Sequence, residues 1–592
     1  MIEHRLQALR EEMARADLDA LVIPRADEYL GEYLPPHNER LRWATGFTGS
    51  AGVAIILRDR AAIFVDGRYR VQVRQQVSSA LFEYHHLLEE PHLAWLVAAL
   101  EPGARVGCDP RLHTPSWYDS ANSALAAAGM SLQASTDNLI DHCWSDRPPA
   151  KVEPALLLGL EYSGESSLAK RQRIGAIVAN AGADMALIFA PDSISWLLNV
   201  RGTDVPMMPV LQSCAVLAAD GGLTLLVDPG RVPVGFAQHV GPDVTVFAET
   251  EAKSLLQGFT GRRVLVDPKG MNAWTRETLI DGGAILVTGE DPVVLPKAAK
   301  NSVEIAGARR AHVRDAIAEI RFLAWLDREV AAGNLHDEAQ LSDALFEFRA
   351  SGDHFHGGSF DTISAAGSNA AMCHYNHLDA DKPGTLEDGG VYLVDSGGQY
   401  TDGTTDITRT VAIGDPGDEM RRLYTLVLKG HIALDQARFP AGTTGTHLDV
   451  LARQFLWQEG YDYDHGTGHG VGSFLSVHES PQRIARAWNS AALVPGMIVS
   501  NEPGYYRDGG FGIRCENLLV VTEAPDTGGD LPMYEFSVLT LVPFDNRLLL
   551  PELLSAGERQ WLNVYHDRVR STLAPELDGD DLDWLVQVTQ AV

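Results

Sequence analysis

Apolar positions recur every three to four residues from Ile2 to about Ala16, which predicts an amphipathic helix. The apolar run Ala20 to Ile23 behind it predicts a short buried strand. ATGFTGSAGVAIIL (Ala44 to Leu57) is a Gly/Ser turn running into a second strand. AAIFVDGRYR (Ala61 to Arg70) is a third strand ending in a turn, and RVQVRQQV begins a helix. Helices alternating with short buried strands predict an α/β layer domain. The opening pattern then recurs. RLQALREEMARADLDALVIPRADEYL (Arg5 to Leu30) is matched by RQRIGAIVANAGADMALIFAPDSISWLL (Arg171 to Leu198), each a helix, an apolar strand, a polar turn and an aromatic. SCAVLAA and LTLLVD supply later strands of the second copy. Two related α/β units are expected, with convergence of two helix–strand units as the alternative.

Three prolines within SDRPPAKVEP (Ser145 to Pro154) mark a linker, and a second boundary falls near VVLPKAAKNSVEI (Val293 to Ile305). Long helical stretches follow, Ser302 to about Ala331 and His336 to Ala350. SFDTISAAGSNAAMCHYNH (Ser359 to His377) is turn-rich, with strand-like ends. DEMRRLYTLVLKGHIALDQAR, THLDVLARQFLWQEG and, near the end, WLNVYHDRVRSTL (Trp561 to Leu573) have helical periodicity, and apolar strands are interleaved with them. This last part is therefore expected to be α+β. The predicted division is 1–150, 151–297 and 298–592.

A chain of 592 residues is too long for one core. Its 45% hydrophobic and 21% charged residues are those of a globular protein. The net charge of −31, with no basic run, argues against a nucleic-acid partner. The five cysteines, Cys108, Cys143, Cys214, Cys373 and Cys515, are scattered and form no CxxC pair. That spacing supports free thiols in a reducing compartment rather than a disulfide framework. The N-terminal stretch lacks the apolar segment of a secretory signal, and no apolar run approaches the roughly 18 residues of a membrane span. A cytoplasmic protein without a membrane partner is expected.

Chemistry gathers between Val391 and Val521. Asp395 ends the apolar strand VYLV and is followed by SGG, and Asp406 lies at the start of TRTVAI. A hairpin can bring the two together, although each is also an ordinary turn residue. HGTGHG spaces His465 and His469 four apart, but Gly466, Gly468 and Gly470 make a helix improbable. Those glycines let backbone approach a site closely. Glu502 follows GMIVSN, and Glu516 lies in FGIRCENLLV. There strand alternation puts Arg514 and Glu516 on one face and Ile513 and Cys515 on the other. A plain Arg–Glu ion pair would explain that placement equally well. Taken jointly, Asp395, Asp406, His469, Glu502 and Glu516 are four carboxylates and one imidazole, and −4 balances two divalent cations. Hard oxygen ligands with one imidazole favour Mn²⁺, with Zn²⁺, Co²⁺ or Fe²⁺ as alternatives. Two such ions can activate a shared water and polarise a carbonyl, which is hydrolase chemistry.

At these residues the chain closely resembles the Xaa-Pro aminopeptidases, members of the pita-bread metallopeptidases that include methionine aminopeptidase, prolidase and creatinase. The resemblance extends to ATGFTGSAG, FVDGRYR, WLLNVRGTDVP, KNSVEIAGARRAHVRDA and WLNVYHDRVR, the last similar to the C-terminal extension of the long, three-domain form. It implies two creatinase-like α/β domains followed by a pita-bread catalytic domain. It implies a peptide substrate with proline in second position, two divalent metal ions and a homodimer built through the last domain. On this resemblance Asp406 and Glu516 bridge the metals, Asp395 binds one and His469 the other. Glu502 is both ligand and general base. His374, His465 and His478 bind substrate and stabilise the tetrahedral intermediate. Arg514 hydrogen-bonds a bridging carboxylate, and Tyr506 lies at the rim. His354, His356 and His377 are read as structural. Ser480, in VHES, stands where many relatives carry glycine before the proline, which alters the pocket wall slightly and leaves the fine specificity open. A prolidase confined to dipeptides, and a non-catalytic binding module on the same fold, are the competing readings.

Overall fold

The computed structural model describes residues 1–380, 382–526 and 528–592. Helix α1 (Ile2–Arg15) buries Leu6, Leu9 and Met13, the face set by its apolar spacing. Those residues share a core with Leu21 and Ile23 of β1 (Ala20–Pro24), Ala54 and Ile56 of β2 (Val53–Leu57), and Ile63 and Val65 of β3 (Ala61–Val65). Alternate residues of the same strands, Ala20, Val22, Ile55, Ala62 and Phe64, enter a second core on the other face. The sheet is thus covered on both sides, which is why its strands read as continuous apolar runs rather than alternating ones. With β4 (Glu83–His86), β5 (Arg105–Cys108) and β6 (Ser131–Ala134) its order is β4-β3-β2-β1-β5-β6. The β1–β2 and β2–β3 pairs are antiparallel and the other three parallel.

The recurrence seen along the chain is a recurrence of topology. Helix α2 (Ser167–Asn180), capped by the Ser166 hydroxyl, precedes β7 (Met185–Ile188). With β8 (Cys214–Ala218), β9 (Leu223–Leu226), β10 (Val244–Phe247), β11 (Arg263–Val266) and β12 (Ile285–Thr288) it forms a sheet of order β10-β9-β8-β7-β11-β12. The directions repeat as well: β7–β8 and β8–β9 are antiparallel and the rest parallel. Between the copies, Ser145 to Pro154 contains neither helix nor strand. Both sheets belong to one compact unit, Met1–Leu158 with Glu165–Val294.

The other unit comprises Gly159–Gly164 and Leu295–Val592. Its first helix, α3 (Ser302–Ala331), starts at a capping box between Asn301 and Glu304. The next, α4 (Glu338–Ala350), starts at one between Asp337 and Gln340. Strands β13 (Ile363–Ala366), β14 (Gly390–Ser396) and β15 (Ile407–Ile413) form an antiparallel sheet in that order. Helices α5 (Gly417–Asp435) and α6 (Gly445–Trp457) follow β15. Later strands of this unit are β16 (Arg438–Pro440), β17 (Gly468–Gly470), β18 (Glu479–Ile484), β19 (Ile498–Asn501), β20 (Gly504–Arg507), β21 (Phe511–Arg514), β22 (Asn517–Glu523) and β23 (Met533–Val538). Six of them make a sheet of order β16-β23-β22-β19-β17-β18, and β20 pairs with β21. Three short strands, Phe355–Gly358, Gly398–Tyr400 and Gly403–Thr404, pair separately. Helix α7 (Ala556–Leu573) closes the core with Leu562, Tyr565 and Val569, which cluster with Tyr392, Val411, Val427, Val499 and Leu519. Creatinase-like α/β sheets and a pita-bread α+β unit are the fold class expected of the chain.

Candidate metal centre

Each candidate ligand stands at or beside the end of a strand. Asp395 is the penultimate residue of β14, in register with Ile363 of β13 and Thr408 of β15. Asp406 immediately precedes β15, so the antiparallel pairing draws the two carboxylates together. His469 is the central residue of β17, Glu502 follows β19, and Glu516 falls in the break between β21 and β22. The glycines of HGTGHG act by close approach, as expected. A Cβ on Gly468 would run into the Ser500 carbonyl of the neighbouring strand. The run is not helical, and its second half, Gly468–Gly470, is strand.

Ligand atoms of Asp406, His469 and Glu516 lie within 4.8 Å of one another. His469 Nε2 is 3.4 Å from Asp406 Oδ2 and 3.5 Å from Glu502 Oε1. Its Nδ1 is 2.9 Å from the Gly470 carbonyl, so Nδ1 carries the hydrogen and Nε2 faces the carboxylates. Burial disfavours charge on this ring, but Asp406 and Glu502 outweigh it and push its pKa up to about 9. Burial also pushes Asp395 up to about 7, against the pull of Arg514 and helped by Asp406 and Glu502. Glu502 is raised by burial, and Glu516 is raised well above the carboxylate range by burial and by its three acidic neighbours. Asp395 Oδ1 is buried with no hydrogen-bond partner among the described residues. Four crowded carboxylates, an orphaned oxygen and an imidazole nitrogen aimed among them make a donor set that fits hard divalent cations.

Arg514 is the cation inside this cluster. Its Nη2 donates to Asp395 Oδ2 at 2.5 Å, its Nε to Thr408 Oγ1 at 3.0 Å, and its Nη1 to Tyr506 OH at 2.6 Å. Its direct carboxylate partner is thus Asp395, not Asp406 or Glu516, and it does not pair with Glu516 two residues on. The Thr408 hydroxyl, accepting from Arg514, donates to Glu516 Oε2 at 2.7 Å. Tyr506, expected at the rim, is more central. Its hydroxyl accepts from Arg514 and lies 2.8 Å from His465 Nε2, while His465 Nδ1 faces the Gly466 carbonyl at 2.7 Å. A chain of hydrogen bonds therefore runs Arg514 to Tyr506 to His465. His465 Nδ1 is 3.8 Å from Glu502 Oε2. The His478 ring stands edge-on to His469, centroids 4.5 Å apart. His374 directly follows Cys373, whose carbonyl accepts from Arg514 at 3.4 Å. His354 and His356 lie apart from these contacts: His356 stacks on Phe474 and bonds Thr401, and His354 packs edge-on to Tyr162.

Several supporting residues escape a reading by motif. Thr408 shares a strand face with Asp406, a signal that alternation along DITRT carries. Arg453 of α6 donates to the His465 carbonyl at 2.8 Å and the Tyr463 carbonyl at 2.6 Å, holding the loop that leads into HGTGHG. His431 of α5 has Nδ1 3.1 Å from the Asn501 carbonyl and 3.2 Å from the Cys515 carbonyl, the residues just before Glu502 and Glu516. Burial holds this histidine down at about 3, hence neutral. Nothing local in the sequence of an amphipathic helix marks either residue. Cys515 is a buried packing residue, and all five cysteines are free thiols.

Comparison with known proteins identifies the family. Metallopeptidase family M24 matches residues 306–523 and the C-terminal region of peptidase M24 matches 532–592. The Creatinase/Prolidase N-terminal domain matches twice, at 5–143 and 146–304. A probable Xaa-Pro aminopeptidase P of Tuber melanosporum is 39% identical over 99% of both chains. Aminopeptidase P1 of Arabidopsis thaliana is 36% identical, also over 99% of both. The crystal structure of X-prolyl aminopeptidase from Caenorhabditis elegans, described as a cytosolic enzyme with a di-nuclear active site, superposes with a TM-score of 0.95 at 32% identity over 100% of both chains. Full-length likeness to these proteins, joined to the M24 match over the unit that carries the acidic cluster, means that the chain belongs to the M24 metallopeptidases, in the Xaa-Pro aminopeptidase P group.

Proposed function

We propose that this chain is an aminopeptidase that hydrolyses the bond between an N-terminal residue and a following proline, using two divalent metal ions held by Asp395, Asp406, His469, Glu502 and Glu516. The observation that carries the reading is the convergence of Asp406, His469 and Glu516 within 4.8 Å beside the buried Asp395 and the half-buried Glu502. The names of its full-length relatives supply the substrate class. Mn²⁺ is favoured because oxygen donors dominate. When bound, two such ions supply Lewis acidity, lowering the pKa of an attacking water and polarising the scissile carbonyl.

The remaining chemistry belongs to the chain. Glu502, whose carboxylate lies beside His469 and within 3.8 Å of His465 Nδ1, is placed to accept the proton of the attacking water. The proline nitrogen, which carries no hydrogen in the peptide, must gain one to leave, and Glu502 returns it. His478, edge-on to His469, and His374 donate to the developing oxyanion and the substrate carbonyls. His465 is oriented by Tyr506, which in turn is held by Arg514. The substrate's free α-amine anchors in this acidic site.

The division into 1–150, 151–297 and 298–592 is part of the same proposal, as are a homodimer and a cytoplasmic location. No helix among the described residues is long and apolar enough to cross a membrane. Hydrolysis of a Xaa-Pro-Pro tripeptide after chelation and separate re-addition of Mn²⁺, Co²⁺ and Zn²⁺ tests the activity. Turnover restored on the tripeptide, and fastest with Mn²⁺, is the expected result. Turnover confined to Xaa-Pro dipeptides would make the chain a prolidase, and peptide binding without turnover under every metal would make it a binding module.

A further inference from the structure

Arg409 lies on β15 between Thr408 and Thr410 and is 2% exposed. All five of its N–H donors are engaged, and every partner is neutral. Nε donates to the Pro543 carbonyl at 3.0 Å, and Nη1 to the carbonyls of Thr408 at 2.9 Å and Glu516 at 2.5 Å. Nη2 meets Asn517 Oδ1 at 2.8 Å, the Val542 carbonyl at 2.6 Å and Tyr565 OH at 3.1 Å. The guanidinium also sits 4.2 Å from the Phe544 ring centroid. Among the described residues no carboxylate pairs with it. A buried cation without a paired anion is costly, and Arg409 favours the charged form of buried Glu319 from a distance.

The partners fall into two sets. Thr408, Glu516 and Asn517 belong to the metal centre or its immediate neighbours, and the Thr408 hydroxyl itself bonds the Glu516 carboxylate. Val542, Pro543 and Tyr565 belong to the segment from 532 onward. Tyr565 OH donates in turn to the Val542 carbonyl at 2.7 Å, fixing where Nη2 must sit. The same segment backs a second pair of ligands. His431, which holds the backbone before Glu502 and Glu516, packs edge-on against Phe544 and Trp561, at 5.2 and 6.0 Å between centroids.

We propose that Arg409 is a positioning residue for the metal centre, clamping the Thr408–Glu516 pair to Val542, Pro543 and Tyr565, so that the 532–592 segment acts on metal binding through it. The inference rests on the assignment of Glu516 and Asp406 as metal ligands. Lysine cannot replace Arg409, because three donors on one nitrogen cannot span both sets of acceptors.

The test is calorimetric titration of chelated full-length protein with Mn²⁺, comparing the parent with Arg409→Lys and Tyr565→Phe. Removing an outer partner of a metal ligand typically weakens metal binding about 10–100-fold. That range is expected for Arg409→Lys, and about 3–10-fold for Tyr565→Phe, on at least one equivalent. Tripeptide kcat should fall with KM within about twofold. If both variants bind two equivalents with parental affinity and lose only melting temperature, Arg409 is a stability residue and the proposal is overturned. Should Arg409→Lys fail to fold, Tyr565→Phe decides alone by the same criterion. Asp406→Asn separates the two layers: parental affinity for both equivalents in that variant would overturn the ligand assignment itself.

Discussion

Buried carboxylates occur in both units of the chain, and they are balanced differently. In the N-terminal unit, Arg231 meets Asp204 at 3.1 Å and Glu249 at 3.2 Å, and Arg40 meets Asp141 at 2.8 Å and Glu28 at 3.0 Å. Each of these four carboxylates has a guanidinium, although only Asp204 is fully buried, and Asp27, buried in the same unit, is met by N–H donors alone. In the C-terminal unit Asp395, Asp406, Glu502 and Glu516 share one guanidinium, that of Arg514, which reaches Asp395. The surplus must be met by protons, by His469 or by ions from outside. Acids matched by arginine, or a lone acid held by N–H donors, are architecture, whereas a cluster of desolvated acids sharing a single cation marks a candidate binding site.

Four measurements break or sharpen that contrast. The largest effect is expected from Glu502→Gln, which keeps the shape of the cluster but removes the base. Tripeptide kcat should fall about 10²–10⁴-fold, and near-normal turnover with metal bound would sink the assigned role. Next is Arg231→Leu, which strands the buried Asp204. Breaking a buried pair typically costs about 3–5 kcal/mol, so urea unfolding should show a loss of that order while Mn²⁺ titration stays parental. A loss of metal binding would blur the distinction between the two clusters. Third, Mn²⁺ at about 100 times its Kd should stabilise the chelated protein by about 2.7 kcal/mol. Thermal unfolding should show that shift in the parent and a smaller one in Asp406→Asn.

The smallest effect concerns pH. Burial raises Asp27 from 3.8 to about 6, although Gly31, Tyr29 and Gln212 all donate to it. Its contribution to stability is fully present below pH 3.8, where both states hold the proton. It is lost as pH rises towards 6, because the unfolded chain gives up the proton before the native one does. Denaturant titrations from pH 4 to 6.5 should therefore show the parent losing stability relative to Asp27→Asn. Parallel curves would mean that Asp27 stays ionised in its pocket.

Motif and periodicity reach far into this protein where the signal is local. The face of α1, the boundaries of α3 and α4, and the strands that end at Asp395 and Asp406 follow from apolar spacing and from Asn301 and Asp337 as caps. The repeat was harder to see, because helix–strand units converge easily. Its strength is the identical order and direction of two six-stranded sheets, which no local window contains. Thr408 was legible in principle from alternation. His431, Arg453 and Arg409 were not, because each acts through backbone carbonyls from ten to more than a hundred residues away, where any residue type would accept as well.

By itself, then, the sequence determined the elements and the inventory of chemistry: four carboxylates and an imidazole at strand ends, glycines where backbone must come close, and an excess of negative charge. Those are properties of neighbours along the chain and of charge, which needs no fold to be counted. The tertiary structure alone decided which acid receives Arg514, that Tyr506 joins Arg514 to His465, and that the last segment backs Glu516. These depend on where strands far apart in sequence meet, and on which buried atoms are left without a partner when they do.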